Sequence, residues 1–134
     1  MKKNGFSLIE LVVAMGIVGI LAAIAIPAYG AYTKTANRTD ATRTMTSDAQ
    51  ALERCYSQNF SYTVNCNVAA GSAPSVQGYY TITIALAASS YTITATPLKS
   101  PQTQDSACTS FTLNNAGTQG ATGSATSQTC WGST

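Results

Sequence analysis

The chain contains no histidine, and only 9% of its 134 residues are charged, seven basic against five acidic. Without histidine the usual acid–base and nucleophile constellations lose their commonest member, and five carboxylates beside cysteines committed elsewhere do not rebuild them. No catalytic residue is assigned. Zinc loses histidine too, and no C-x-x-C spacing occurs, so neither a metal site nor a cofactor is expected. The glycines of Gly117-Thr118-Gln119-Gly120-Ala121-Thr122-Gly123 lack the lysine of a phosphate loop. The formal charge of +2 includes Lys2 and Lys3; without residues 1–5, five basic and five acidic side chains balance. Nucleic-acid contact is therefore expected to be absent or weak and salt-dependent, with Arg54 and Lys99 its natural carriers. The length suits one modest core and leaves no room for a separate catalytic domain.

What is present begins with an uncharged run, LVVAMGIVGILAAIAIPAYGAY from Leu11 to Tyr32, long enough to span a bilayer as a helix. Lys2 and Lys3 precede it, which places the start on the cytoplasmic side and the bulk of the chain across the membrane. Four cysteines, Cys55, Cys66, Cys108 and Cys130, then read as two disulfides in an oxidising compartment. Of the three possible pairings, locality favours Cys55–Cys66 and Cys108–Cys130, each closing one loop-like segment. An ordinary secretory signal cut near Ala25 is the competing reading. Against it stand the length of the run, Pro27 just beyond that cut, and Glu10 at the entrance of the run. A carboxylate there costs about 2.5–3.5 kcal/mol if carried to the centre of a bilayer.

The sequence Lys2-Lys3-Asn4-Gly5-Phe6-Ser7-Leu8-Ile9-Glu10-Leu11 resembles the processing site of type IV prepilins and the related pseudopilins. The resemblance implies cleavage by a prepilin peptidase between Gly5 and Phe6 and methylation of the new amino terminus on Phe6. Glu10 is then expected to direct assembly by pairing with the Phe6 ammonium of a neighbouring subunit, because a lone carboxylate in an apolar bundle is costly. Gly16, Gly19 and Pro27 weaken the helix, with a kink expected near Pro27. In the family the stretch between such residues loses helical structure on assembly, which is carried over to about residues 19–27.

Beyond Tyr32, apolar positions at Ala41, Met45, Ala49, Leu52 and Tyr56 keep helical spacing and predict a face buried against a sheet. Lys34, Arg38, Asp40, Arg43, Asp48, Glu53 and Arg54 fall mostly off that stripe and are expected to be solvated or to touch other subunits. Residues 57–77 read as a loop. Alternation over 80–86 and 91–95 predicts a hairpin, with a third strand over 109–113, a turn over 114–117 and a flexible tail leading to Cys130-Trp131. The expected fold is α+β, a long N-terminal helix on a three- to four-stranded antiparallel sheet. Its parts are a leader (1–5), an apolar transmembrane and filament-core helix (6–33), an amphipathic half (34–58) and a head (59–134). The function so implied is a type IV pilus subunit in the inner membrane, its head in the periplasm, then a surface filament. Its partners are further copies and other pilins, the prepilin peptidase and the inner-membrane assembly machinery. The alternatives are a pseudopilin of a type II secretion system and a tip-located minor pilin with a binding role.

Overall fold

A computed structural model describes residues 6–68 and 70–132. Helix α1 runs Leu8–Asn59; strands follow at Gly71–Pro74 (β1), Tyr80–Leu86 (β2), Tyr91–Pro97 (β3), Ser110–Asn114 (β4) and Gln119–Thr122 (β5), and a short helix α2 at Ser127–Trp131. The strands form one antiparallel sheet in the order β1-β2-β3-β4-β5. The chain divides into two compact units, residues 1–33 and 34–134, with the division falling inside α1.

In the second unit, period-two alternation decides which face is buried. Tyr80, Ile82 and Ile84 of β2, Tyr91, Ile93 and Ala95 of β3, and Phe111 and Leu113 of β4 point inward. The register aligns Ile84, Ile93 and Leu113 in one row and Ile82, Ala95 and Phe111 in the next. Ala41, Met45, Ala49 and Leu52 of α1 close this core. Small Ala41 and Ala49 let the helix approach the sheet, while Met45 and Leu52 fill the space between the rows.

The sheet has five strands where three or four were expected. β1 (GSAP) and β5 (QGAT) have no buried residue, so neither shows the alternation that marks a half-buried strand. They are strands because they pair along the backbones of β2 and β4. The expected flexible tail is instead β5 followed by α2. Thr126 caps α2 by accepting the Thr129 N–H at 3.2 Å, and Gly132 ends it at φ 70°. Trp131 donates its indole N–H to the Gly120 carbonyl at 2.9 Å and meets Phe111 edge-on. Disulfides join Cys55 to Cys66 (Cα–Cα 5.5 Å) and Cys108 to Cys130 (5.8 Å).

Candidate assembly surface

Within the first unit, no described residue is buried. An 18-residue window of α1 reaches a mean hydropathy of 2.6, and its large side chains, among them Leu11, Val18, Ile20 and Ile24, are all exposed. The helix is assigned without interruption through Gly16, Gly19 and Pro27. A side chain placed at Gly16 or Gly19 would meet nothing within 4 Å, so these positions are open notches on an apolar rod.

Gly5 lies outside the described residues. Phe6 and Ser7 stand before α1, with the Ser7 carbonyl accepting the Leu11 N–H at 3.2 Å. Phe6 is 82% exposed, and Glu10 occupies the first turn of the helix. Regular helical geometry starts at Leu8, so the first N–H groups of α1 have no partner inside the helix. A carboxylate in the first turn gains from the helix dipole, which favours Glu10 where it stands. Among the described residues no side chain pairs with it.

Of the charges expected to be solvated or to touch other subunits, Asp40 and Arg38 are instead held by partners within the second unit. Asp40 is buried. It accepts the Ser75 hydroxyl, the Gln77 N–H at 2.9 Å and the Tyr79 N–H at 3.3 Å, and so ties the β1–β2 connection to α1. Arg38 binds Asp105 through two hydrogen bonds of 2.8 and 2.9 Å. Burial pushes the Asp105 carboxyl upward, but the Arg38 guanidinium and the N–H groups of Ala107 and Cys108 outweigh it and hold the group below its ordinary range. The same hydrogen bond to Asp105 raises Arg38 against its own desolvation. Beside this pair, buried Gln102 donates to the Lys34 carbonyl (3.1 Å) and the Tyr80 hydroxyl (2.6 Å), while the Lys34 ammonium donates to the Gln104 carbonyl (2.9 Å). Residues 34–40 of α1 thus fasten the β1–β2 and β3–β4 connections together. The one sequence signal for this was the oddity of charges at 38 and 40 directly before the apolar stripe.

Comparison with known proteins agrees with this architecture. The family model described as "Type IV minor pilin ComP, DNA uptake sequence receptor" matches residues 27–112, and that described as "Prokaryotic N-terminal methylation motif" matches residues 1–26. The fimbrial protein EcpC of Eikenella corrodens is 36% identical over 96 residues, covering 70% of this chain and 62% of that protein. Prepilin peptidase-dependent protein D of Escherichia coli K12 is 48% identical over 54 residues, covering 40% of this chain and 37% of its own length. The chain therefore spans less than two thirds of these relatives. The crystal structure of the Neisseria meningitidis non-core minor pilin PilV superposes with a TM-score of 0.54 at 22% identity, covering 70% of this chain and 91% of that one, which shows the same fold. With one model matching well over half its length and the methylation motif at its start, this chain belongs to the type IV pilins, in the minor-pilin family that the longer model describes.

Proposed function

We propose that the chain is a structural subunit of a type IV pilus. It is made as an inner-membrane precursor with its head in the periplasm. The prepilin peptidase cuts it between Gly5 and Phe6 and methylates Phe6. The inner-membrane assembly machinery then polymerises it through residues 6–33, with further copies and other pilins, into a surface filament serving motility, adhesion or DNA uptake. The observation that carries this reading is the apolar segment with no buried residue among those described, and with a single carboxylate, Glu10, at its entrance. In the membrane these side chains already lie in lipid, so the bundle forms by close packing of one helix on another, and outside the membrane that packing keeps each large aliphatic side chain from water, a difference of about 1.5–3 kcal/mol. That packing has no register. Glu10, seeking the Phe6 ammonium of a neighbour, supplies one, since an unpaired carboxylate inside the bundle is disfavoured. Gly16, Gly19 and Pro27 are the places where α1 yields as it enters the filament.

The test is the mass and N-terminal residue of the protein from membranes and from sheared surface material. A methylated Phe6 terminus with two cystines is expected. A terminus near Ile26, or an intact Met1 in cells with active prepilin peptidase, would reject the reading.

A second reading is favoured by the description of the matching family model, which names a DNA uptake sequence receptor. On this head the contact would fall to exposed Arg43, Arg54 and Lys99. With so few cations the affinity should fall steeply only over a few phosphates, with a log–log salt slope of about −0.9 per phosphate neutralised. A gel shift at low and high salt decides it, and no shift at low salt dismisses DNA binding by this subunit alone.

A further inference from the structure

The charges of the head divide into engaged and unengaged groups. Among the acids, Asp40 is taken by the β1–β2 connection, Asp105 by Arg38, and Glu53 accepts the Tyr62 hydroxyl at 3.1 Å. Asp48 has no hydrogen-bond or ion-pair partner among the described residues. It is half-buried, and with Thr44 it lines one wall of a cavity of about 250 Å³ whose other walls are β1 (Gly71–Pro74) and Ile82 and Ile84 of β2. That is room for several waters, at ~30 Å³ each, or for one guanidinium. No basic residue lines the cavity, and burial pushes the Asp48 carboxyl upward with nothing opposing it.

Among the bases, Lys34 and Arg38 are engaged and the Lys99 ammonium lies over Gly78. Arg43 and Arg54 are exposed and make no side-chain hydrogen bond or ion pair among the described residues. They line two adjoining grooves on the other flank of α1, Arg54 beside Tyr91, Leu113 and Glu53, whose carboxylate is taken by the Tyr62 hydroxyl, and Arg43 beside Gln119 and Trp131. Eleven residues apart, they sit about three helical turns from each other on one face. One flank of the helix, against β1, thus carries an unpaired carboxylate in a cavity, and the opposite flank, against β4, β5 and α2, carries two unpaired guanidinium groups.

A filament joins copies by heterologous contacts, in which one surface of a subunit meets a different surface of the next. We infer that the Asp48 cavity of one head receives Arg43 or Arg54 from the opposite flank of a neighbouring copy, so that the two flanks form the head-to-head contact of the filament. This rests on the filament reading above. The bond is a charge-assisted one that a cavity with one carboxylate and no cation is suited to accept. It selects like heads as neighbours, because a head without an acid at this position leaves the arginine unpaired.

The test is charge reversal in the full-length chain, in cells that assemble it, read as sheared surface filament per cell against subunit content of the membrane. Asp48→Arg, Arg43→Asp and Arg54→Asp are made singly, and Asp48→Arg is combined with each of the other two. Asp48→Arg should reduce filament at least about tenfold, since like charges meet at the contact. One of the double variants should recover most of that loss. Asp48→Asn, which keeps the shape, controls for misfolding and should give an intermediate loss at unchanged membrane content. Wild-type filament yield from Asp48→Arg, or recovery in neither double variant, would overturn the inference while leaving the filament reading intact. Absence of filaments from the wild-type chain would instead remove the reading on which it stands.

Discussion

Ile17 and Ile93 are the same side chain in two settings: the first is 55% exposed in α1, the second 0% exposed in β3. The second unit encloses its apolar groups by its own folding, through alternate residues of three strands and one stripe of α1. The first has a comparable wealth of apolar side chains and buries none of them. Nothing among the described residues covers that surface. A single helix is therefore packed over one part and unpacked over the other, with the change at Thr33–Lys34, where polarity rises and the first fastening residue appears.

The contrast breaks most sharply if the two isoleucines respond alike. Ile93→Ala should lower the unfolding free energy of the head by about 4 kcal/mol, whereas Ile17→Ala should change it by no more than about 0.5 kcal/mol. Denaturant titration of the full chain in detergent, followed by Trp131 fluorescence, measures both. Equal effects would mean that the first segment is part of the folded core.

Next in size are the disulfides, which belong to the head alone. Replacing Cys108 and Cys130 by serine should cost about 3.5 kcal/mol, and replacing Cys55 and Cys66 about 0.6 kcal/mol less, because the closed segments are 22 and 11 residues long and doubling a loop adds about that much. Cys108 and Cys130 are also buried in the core, so loss of their bridge should release β5 and α2. Thermal melts of the two double variants give the order, and the reverse order would show that the C-terminal segment is held mainly by Trp131.

A smaller effect attaches to Asp105→Asn. Severing a buried pair costs ~3–5 kcal/mol, but Arg38 keeps 12% of its side-chain surface in water, so about 2 kcal/mol is expected. Arg38→Lys should recover little of the wild-type value if tested in its place, because an ammonium does not make the paired hydrogen bonds of the guanidinium.

What was legible in the sequence follows from the same contrast. The apolar segment announces itself by composition and the head's central strands by alternation, so β2 begins and ends where Tyr80 and Leu86 suggested. β1, β5 and α2 were not legible. Gly71-Ser72-Ala73-Pro74 buries no side chain, and its strand exists through backbone pairing with Thr81–Ile84 of β2. Thr126 is one of many threonines, and only its 3.2 Å contact to the Thr129 N–H makes it a cap. Buried Asp40 and paired Arg38 were equally hidden, since their partners Ser75 and Asp105 lie 35 and 67 residues away.

The smallest prediction concerns pH and sets two carboxylates of the head against each other. Asp105 is held below its ordinary value of 3.8 despite its burial, so the stability it gives is complete above 3.8 and is lost as pH falls through its lower folded value. Asp48 is raised above 3.8 by burial alone, so the folded head binds its proton more tightly than the unfolded chain does. Acidification from neutrality should therefore first stabilise the isolated subunit slightly, as Asp48 is neutralised above pH 3.8, and then destabilise it below that value as Asp105 is protonated. Melting temperature against pH should pass through a shallow maximum. Asp48→Asn should remove the rise and keep the fall; Asp105→Asn should flatten the fall and keep the rise. In assembled filaments the rise should also vanish if Asp48 is already neutralised by an arginine from the next copy, because a paired carboxylate gains nothing from a proton. A rise of equal size in filament and isolated subunit would leave Asp48 unpaired in both.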